Sequence, residues 1–472
     1  MKALLVNTNQ MKPAIAPIGL EYLADSLIAA GHQPGLLDLC FSEDIASDAA
    51  AAVRKFSPDV IGVSVRNTDD CYFSGGAFLL PGVREMVDAL RACCSVPIVM
   101  GGVGFSVMPE QVMDFCGADY GIAGEGEEAF AQFLSAMERG TGLQDVPNLL
   151  YREGGLIRRN GGSFSLLDDL PRRLRSFADN AHYFRVGGQA GFETRRGCNM
   201  KCVYCADPVS QGRRVRLRSP ELVVDELKAL LAQGVDHFHT CDCEFNIPGE
   251  HAKDVCRAII EAGIGERVRW YAYCSVTPFD SEMADLLRRA GCVGVDFGAD
   301  SGSDSMLHSL GRHFKSEDLV RTAKLCHQHG ITFMYDLLLG GPGETEDSVR
   351  ETIELVRRVD ADCVGVAMGV RVYEGTVMAD RVRAEGETAG NPNLYGARES
   401  NPHFVKPVFY ISAELGAGIV DFVRGLVADD KRFFLPSNEQ VESNYNYNEN
   451  TVLIHAINNG ARGAYWDILR RL

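Results

Sequence analysis

The chain has 472 residues, 46% of them hydrophobic and 24% charged, with a formal net charge of −17. That length exceeds what one hydrophobic core organises and predicts two or three domains. The acidic balance argues against a nucleic-acid surface, which draws on clustered Lys and Arg, and no apolar run is long enough to predict a membrane span.

From the start to about residue 140, short β-rich runs alternate with helical patterns. The predicted strands are residues 3–7, 35–39, 60–65, 97–100 and 120–123, with helices near 18–30, 45–56, 83–93, 109–115 and 127–137. This is the pattern of a doubly wound, Rossmann-like α/β domain over residues 1–140, whose ligands sit beyond the carboxyl ends of the strands. Residues 141–190 lose the alternation and read as a connector. Strand and helix then alternate again over 191–380, with strands at 191–194, 237–240, 268–273, 294–298, 332–339 and 363–370. Six such units predict a partial (β/α)6 barrel with its chemistry at the C-terminal mouth. Residues 381–472 read as a mixed C-terminal extension ending in an amphipathic helix.

The opening apolar run stops at Asn7, too short for a signal-peptide core, and the fifteen cysteines are scattered. The expected setting is a reducing cytoplasm, with thiols available to metals. Three of them, Cys198, Cys202 and Cys205, are spaced CxxxCxxC directly after a predicted strand. Three thiolates can hold three irons of a [4Fe-4S] cubane and leave the fourth iron open. A zinc site would want four closed ligands in two pairs, and no matching pair lies nearby. The basic stretch Arg213 to Arg218 reads as a local feature rather than a nucleic-acid site.

This motif, with Tyr204 before the third cysteine, resembles that of the radical S-adenosylmethionine (SAM) superfamily. The resemblance continues through Gly298-Ala299-Asp300-Ser301-Gly302, similar to the family's fourth-strand segment, although Asp300 stands where many relatives carry Glu. It continues again through Leu339-Gly340-Gly341-Pro342-Gly343, similar to the fifth-strand segment, where glycines let backbone approach SAM closely. The resemblance implies cluster ligands at the three cysteines and SAM contacts at Tyr204, Asp300, Ser301, Gly340 and Gly341. Near the sixth strand, Arg371 is expected to meet the SAM carboxylate or a substrate anion through its fork of donors.

In the first domain, Ser64, Gly101-Gly102 and the run containing Glu125 resemble the cobalamin-binding domain often fused ahead of such a barrel. No Asp-x-His-x-x-Gly stretch follows the first strand, and Gly104 stands where relatives often carry a His after the paired glycines. The resemblance therefore implies cobalamin with no histidine below the cobalt. An empty Rossmann-like domain stays open beside it.

The predicted second barrel strand ends in Thr240-Cys241-Asp242-Cys243. Alternate residues of an extended segment share a face, so Cys241 and Cys243 are expected to point together at the barrel mouth and to act in catalysis there. Asn444 to Asn450, rich in Asn and Tyr, is a candidate lid, and Cys71 is a weaker loop candidate. The function expected is a SAM-cleaving methyltransferase acting on a small molecule with cobalamin as methyl carrier. Its external electron donor would be a flavodoxin or ferredoxin, and no nucleic acid or membrane takes part. The alternative is cobalamin-independent transfer of a 3-amino-3-carboxypropyl group to a thiophilic acceptor such as trivalent arsenic. A non-enzymatic iron–sulfur sensor is the third reading.

Overall fold

A computed structural model describes residues 1–73, 76–436 and 449–472. The first sheet is built from β1 (Lys2–Asn7), β2 (Gln33–Asp38), β3 (Val60–Ser64), β4 (Ile98–Gly101), β5 (Tyr120–Ile122), β6 (Leu149–Glu153) and β7 (Leu156–Arg159), in the order β2-β1-β3-β4-β5-β6-β7. The first five strands run parallel, as the alternation predicts, while β6 and β7 add antiparallel. Part of the expected connector is thus the sheet's edge.

Each strand feeds two cores because successive side chains point to opposite faces. In β1, Leu4 and Val6 pack with Ile61, Val63, Val83 and Leu90 on one side. Ala3 and Leu5 pack with Leu20, Leu27, Phe130 and Phe133 on the other. Helices Ile45–Phe56 and Leu80–Cys93 cover the first face, and Ile18–Ala29 and Glu127–Arg139 the second. The parallel strands are therefore apolar almost throughout.

The second sheet holds β8 (Ala190–Phe192), β9 (His237–Thr240), β10 (Arg269–Cys274), β11 (Cys292–Asp300), β12 (Thr332–Leu339) and β13 (Cys363–Met368). The extension adds a seventh strand, β14 (Phe433–Phe434), parallel to β13. The order runs β14-β13-β12-β11-β10-β9-β8, an open barrel of parallel strands. Val295, Phe297, Phe333, Tyr335 and Leu337 face outward into the core beneath the helices. The alternate residues of those strands face the lumen.

The chain's end closes the N-terminal end of that lumen. Helix Tyr465–Arg470 places Trp466 against Tyr271, Met334 and Cys363, and the Tyr271 hydroxyl donates to Asp467 at 2.7 Å. A Cβ at Gly294 would lie 2.9 Å from the Trp466 ring, so a glycine there makes room for the plug. No described helix is long and apolar enough to cross a membrane.

Candidate active site at the seam of the two domains

The cysteine loop is tied to two strand ends before it reaches its first thiol. Asp242, just past β9, accepts from the Thr194 amide at 2.8 Å, the Thr194 hydroxyl at 2.6 Å and the Arg195 amide at 3.1 Å. Burial still pushes the Asp242 carboxyl up to about 6. Arg195 is buried and donates to the carbonyls of Glu244, Ile247 and Gly197. Gly197 has φ +82 and no room for a Cβ against the Arg214 carbonyl, so only glycine suits this turn. The Cys198 amide donates to Gly212 and the Val203 amide to Leu310, both at 3.0 Å.

Those ties hold Cys198, Cys202 and Cys205 at the barrel's C-terminal mouth, the first buried and the others half-buried. A hydrogen bond from Cys243 lowers Cys198 to about 6, whereas burial raises Cys202 and Cys205. Arg312 Nη1 lies 3.1 Å from Cys202 Sγ and favours its thiolate. Among the described residues no three ligating side chains converge on one point as a single ion requires. A cubane takes each thiolate on a separate iron, and the three-thiol donor set suits it.

Beside the loop, the Tyr204 hydroxyl donates to Asp300 at 2.7 Å, and Arg312 Nε lies 3.4 Å from the same carboxylate. Asp300 ends β11 with φ +59, unusual for a residue with a side chain. Glu244 joins this group 3.7 Å from Arg312, its carboxyl pushed up to about 8 by burial, with Oε2 free of any partner among the described residues. Tyr204, Asp300, Arg312 and Glu244 therefore form a polar rim around the cysteines.

Between the two domains lies a mostly apolar cavity of about 350 Å³, partly open to solvent. The first domain contributes Ser64, Arg66, Gly101, Gly102 and Glu125, and the barrel contributes Glu193, Arg196, Gln211 and Cys241. Gly102 has φ +96, and a Cβ there would meet the Val65 carbonyl at 2.5 Å. This is a glycine-lined cradle at the carboxyl ends of parallel strands, where such folds bind nucleotide-like groups. Arg66 brings a guanidinium to its wall near Cys241 and Tyr465. The glycine cradle and the lining drawn from both domains fit a large planar cofactor shared between them.

Several expected site residues have partners within the protein or sit apart from one another. Cys241 and Cys243 do not share a face, because the strand ends at Thr240. Cys241 opens into the cavity beside Gly191, while Cys243 turns to Cys198 and Gln211. Burial pushes Cys241 up to about 12, and the bond to Cys198 also raises Cys243, so both are neutral thiols. Ser301 is buried with its hydroxyl 2.9 Å from that of Thr352. The amides of Gly340 and Gly341 donate to Glu344, and the space beside them is filled by Gly369, Ile411, Leu310 and Met306. Arg371 is buried at 2.9 Å from Asp69 and also donates to the Val372 and Phe404 carbonyls, which makes it a seam residue.

Glu125 lies on the cavity wall with its carboxylate held by Arg216, Arg196 and the Ser165 amide. The basic stretch is internal in part, since Arg216 pairs with Glu125 and Arg218 with Glu226. Cys71 meets the Tyr373 hydroxyl at 3.0 Å. The candidate lid falls largely outside the described residues, which resume at Glu449. Sequence reasoning missed Glu244, Arg312 and Arg66. Glu244 adjoins the Cys-Asp-Cys segment, while Arg312 and Arg66 sit in loops with no periodic signal.

Comparison with known proteins matches residues 192–356 to the radical SAM superfamily and residues 5–134 to the B12 binding domain. The tryptophan 2-C-methyltransferase of Streptomyces laurentii is 31% identical over 431 residues, covering 78% of this chain and 72% of that protein. An uncharacterised methyltransferase of Pyrococcus horikoshii is 27% identical over 351 residues, 73% of this chain and 74% of its own. The radical SAM methyltransferase TsrM of Kitasatospora setae, solved with tryptophan and a SAM analogue, superposes with a TM-score of 0.92 at 30% identity, over 100% of this chain and 97% of that one. TsrM solved with cobalamin and a [4Fe-4S] cluster gives 0.89 at 29% identity with the same coverage.

These likenesses favour methyl transfer over aminocarboxypropyl transfer. An enzyme, not a sensor, is what they describe. With a cobalamin-binding domain, a radical SAM barrel and a shared cavity between them, the chain belongs to the cobalamin-dependent radical SAM methyltransferases, whose cofactors are a [4Fe-4S] cluster, SAM and cobalamin.

Proposed function

We propose that this enzyme methylates a ring carbon of tryptophan, with SAM as the methyl source. The observation that carries the reading is the match along the whole chain to a methyltransferase solved with tryptophan bound. Cys198, Cys202 and Cys205 hold the cluster in this reading, and Tyr204 and Asp300 stand at the rim to meet SAM. Ser64, Gly101 and Gly102 cradle cobalamin, with Glu125 on the wall. When bound, these groups supply the cleavage of SAM and the carriage of its methyl group. The protein's own contribution is orientation and exclusion of water.

Fifteen free cysteines suit a reducing cytoplasm, and a flavodoxin or ferredoxin is the external electron donor in this reading. The test is anaerobic reconstitution with iron, sulfide and cobalamin, followed by incubation with L-tryptophan and methyl-labelled SAM. Label on a ring carbon of tryptophan is expected, together with S-adenosylhomocysteine. A fully loaded enzyme that leaves tryptophan unlabelled overturns the reading.

A further inference from the structure

Inside the barrel, one step below the rim, two carboxyl groups face the lumen from adjacent strands. Asp296 on β11 and Asp336 on β12 occupy the lumen-facing positions between the outward residues Val295 and Phe297 and the outward residues Tyr335 and Leu337. The register sets Asp296 opposite Met334 and Gly298 opposite Asp336, so the two carboxyls approach on the diagonal, and Asp336 disfavours the ionised form of Asp296. Asp296 Oδ1 and Asp336 Oδ1 are occluded and have no hydrogen-bond partner among the described residues. Two carboxyls so placed, buried and without donors on those oxygens, do not readily ionise together.

The space around the pair is not filled by hydrocarbon. Asp336, Tyr273 and His239 are only half-buried although they lie within the barrel wall. Glu244, 6% exposed, enters from the segment after β9 with an unpartnered Oε2, an independent sign that a polar group belongs in the lumen. The titratable groups facing the pair are Tyr273 from β10, Glu244, Asp300 from the end of β11, Cys363 from β13 and, across the lumen, His239 from β9. The nearby cation, Arg312, is already engaged with Asp300 and Glu244. Burial first, then the neighbouring carboxylates, raise both members of the pair.

We infer that Asp296 and Asp336 form a proton-sharing carboxyl pair that receives the proton an aromatic substrate loses when a methyl group replaces it. The inference rests on the tryptophan reading for the identity of the proton donor. Overall, the carbon–sulfur bond of SAM breaks with its electron pair left on sulfur, giving S-adenosylhomocysteine. The ring supplies the pair for the new carbon–carbon bond and recovers the pair of the broken bond to hydrogen. The proton released goes to the pair's ionised member. The net transfer consumes no electrons, so the external donor of the proposed reading does not enter this balance.

The experiment uses the full chain with cluster and cobalamin loaded. Infrared difference spectra taken across a pH titration are expected to show a protonated-carboxyl band that is lost from Asp296→Asn and altered in Asp336→Asn. With L-tryptophan, Asp336→Asn is expected to lower kcat by about 10²–10⁴-fold, the usual worth of a general base, with KM little changed. Cluster absorbance and cobalamin retention should match the wild type, which separates this result from misfolding. Near wild-type kcat in Asp336→Asn overturns the inference. A wild type that ignores L-tryptophan overturns the substrate reading instead. The pair is then judged on the infrared arm, where the absence of a carboxyl band dependent on both residues overturns it.

Discussion

Arg175 Nη1 donates to Glu226 Oε1 at 2.7 Å, and both side chains are fully buried. The same guanidinium donates from Nε to Glu21 at 2.8 Å, so one arginine of the connector joins the first helix of the cobalamin domain to helix Pro220–Leu231 of the barrel. Tyr22 adds a 2.7 Å bond to Glu226, Arg218 pairs with it, and Arg173 lies 2.8 Å from Glu193. The wall of the cofactor cavity is fixed by this lattice, since Tyr22 and Glu193 line that cavity.

Breaking the lattice at its centre is expected to cost far more than a surface pair would. Arg175→Met leaves Glu21 and Glu226 buried with less compensating charge, a loss of about 3–5 kcal/mol. The urea midpoint, compared with that of an exposed variant such as Arg424→Met, checks it.

The same lattice sets an acid limit. Arg218, Arg175 and Arg173 outweigh burial and hold the Glu226 carboxyl down to about 2 from its ordinary 4.5. A depressed folded-state value means the stabilisation is present above pH 4.5 and is lost as pH falls toward 2. Urea midpoints of the wild type should therefore fall steeply across that interval. Those of Glu226→Gln should start lower and fall less.

Each of Cys198→Ala, Cys202→Ala and Cys205→Ala is expected to abolish the broad iron–sulfur absorbance and turnover, because each removes one thiolate of a three-ligand set. Cys241→Ser should leave both near normal, since this thiol is neutral and makes no contact with the three. Iron content and absorbance of the four variants, measured side by side, check the contrast.

Gly102→Ala is expected to weaken cobalamin retention. The added Cβ would meet the Val65 carbonyl at 2.5 Å in a left-handed conformation, costing about 1–3 kcal/mol in strain and moving the cradle. Corrin absorbance after desalting measures it, and cluster absorbance should stay unchanged.

Trp466→Ala empties the plug at the barrel's far end, a loss of about 3–5 kcal/mol for a buried indole. The thermal midpoint should fall while the first domain still binds cobalamin.

The alternation of apolar runs was enough to identify both α/β units, because a parallel strand buried on two faces cannot be written in polar residues. The cysteine spacing was legible for a similar reason: one short loop can supply three thiolates to a single cubane. Side-chain partners at long range were not legible. Arg371 and Ser301 lie in motif-like segments, yet Asp69 and Thr352, far away in sequence, take their polar groups. Cys241 and Cys243 obey strand alternation only while the strand lasts, and it ends one residue too early. Asp296 and Asp336 were visible as acids in apolar strands, but only the register between β11 and β12 brings them together. Local pattern therefore determined the elements and the cluster loop, because those depend on neighbours in sequence. Which charges meet across the seam and the lumen was decided by tertiary packing, because burying a charge requires a partner that sequence order does not name.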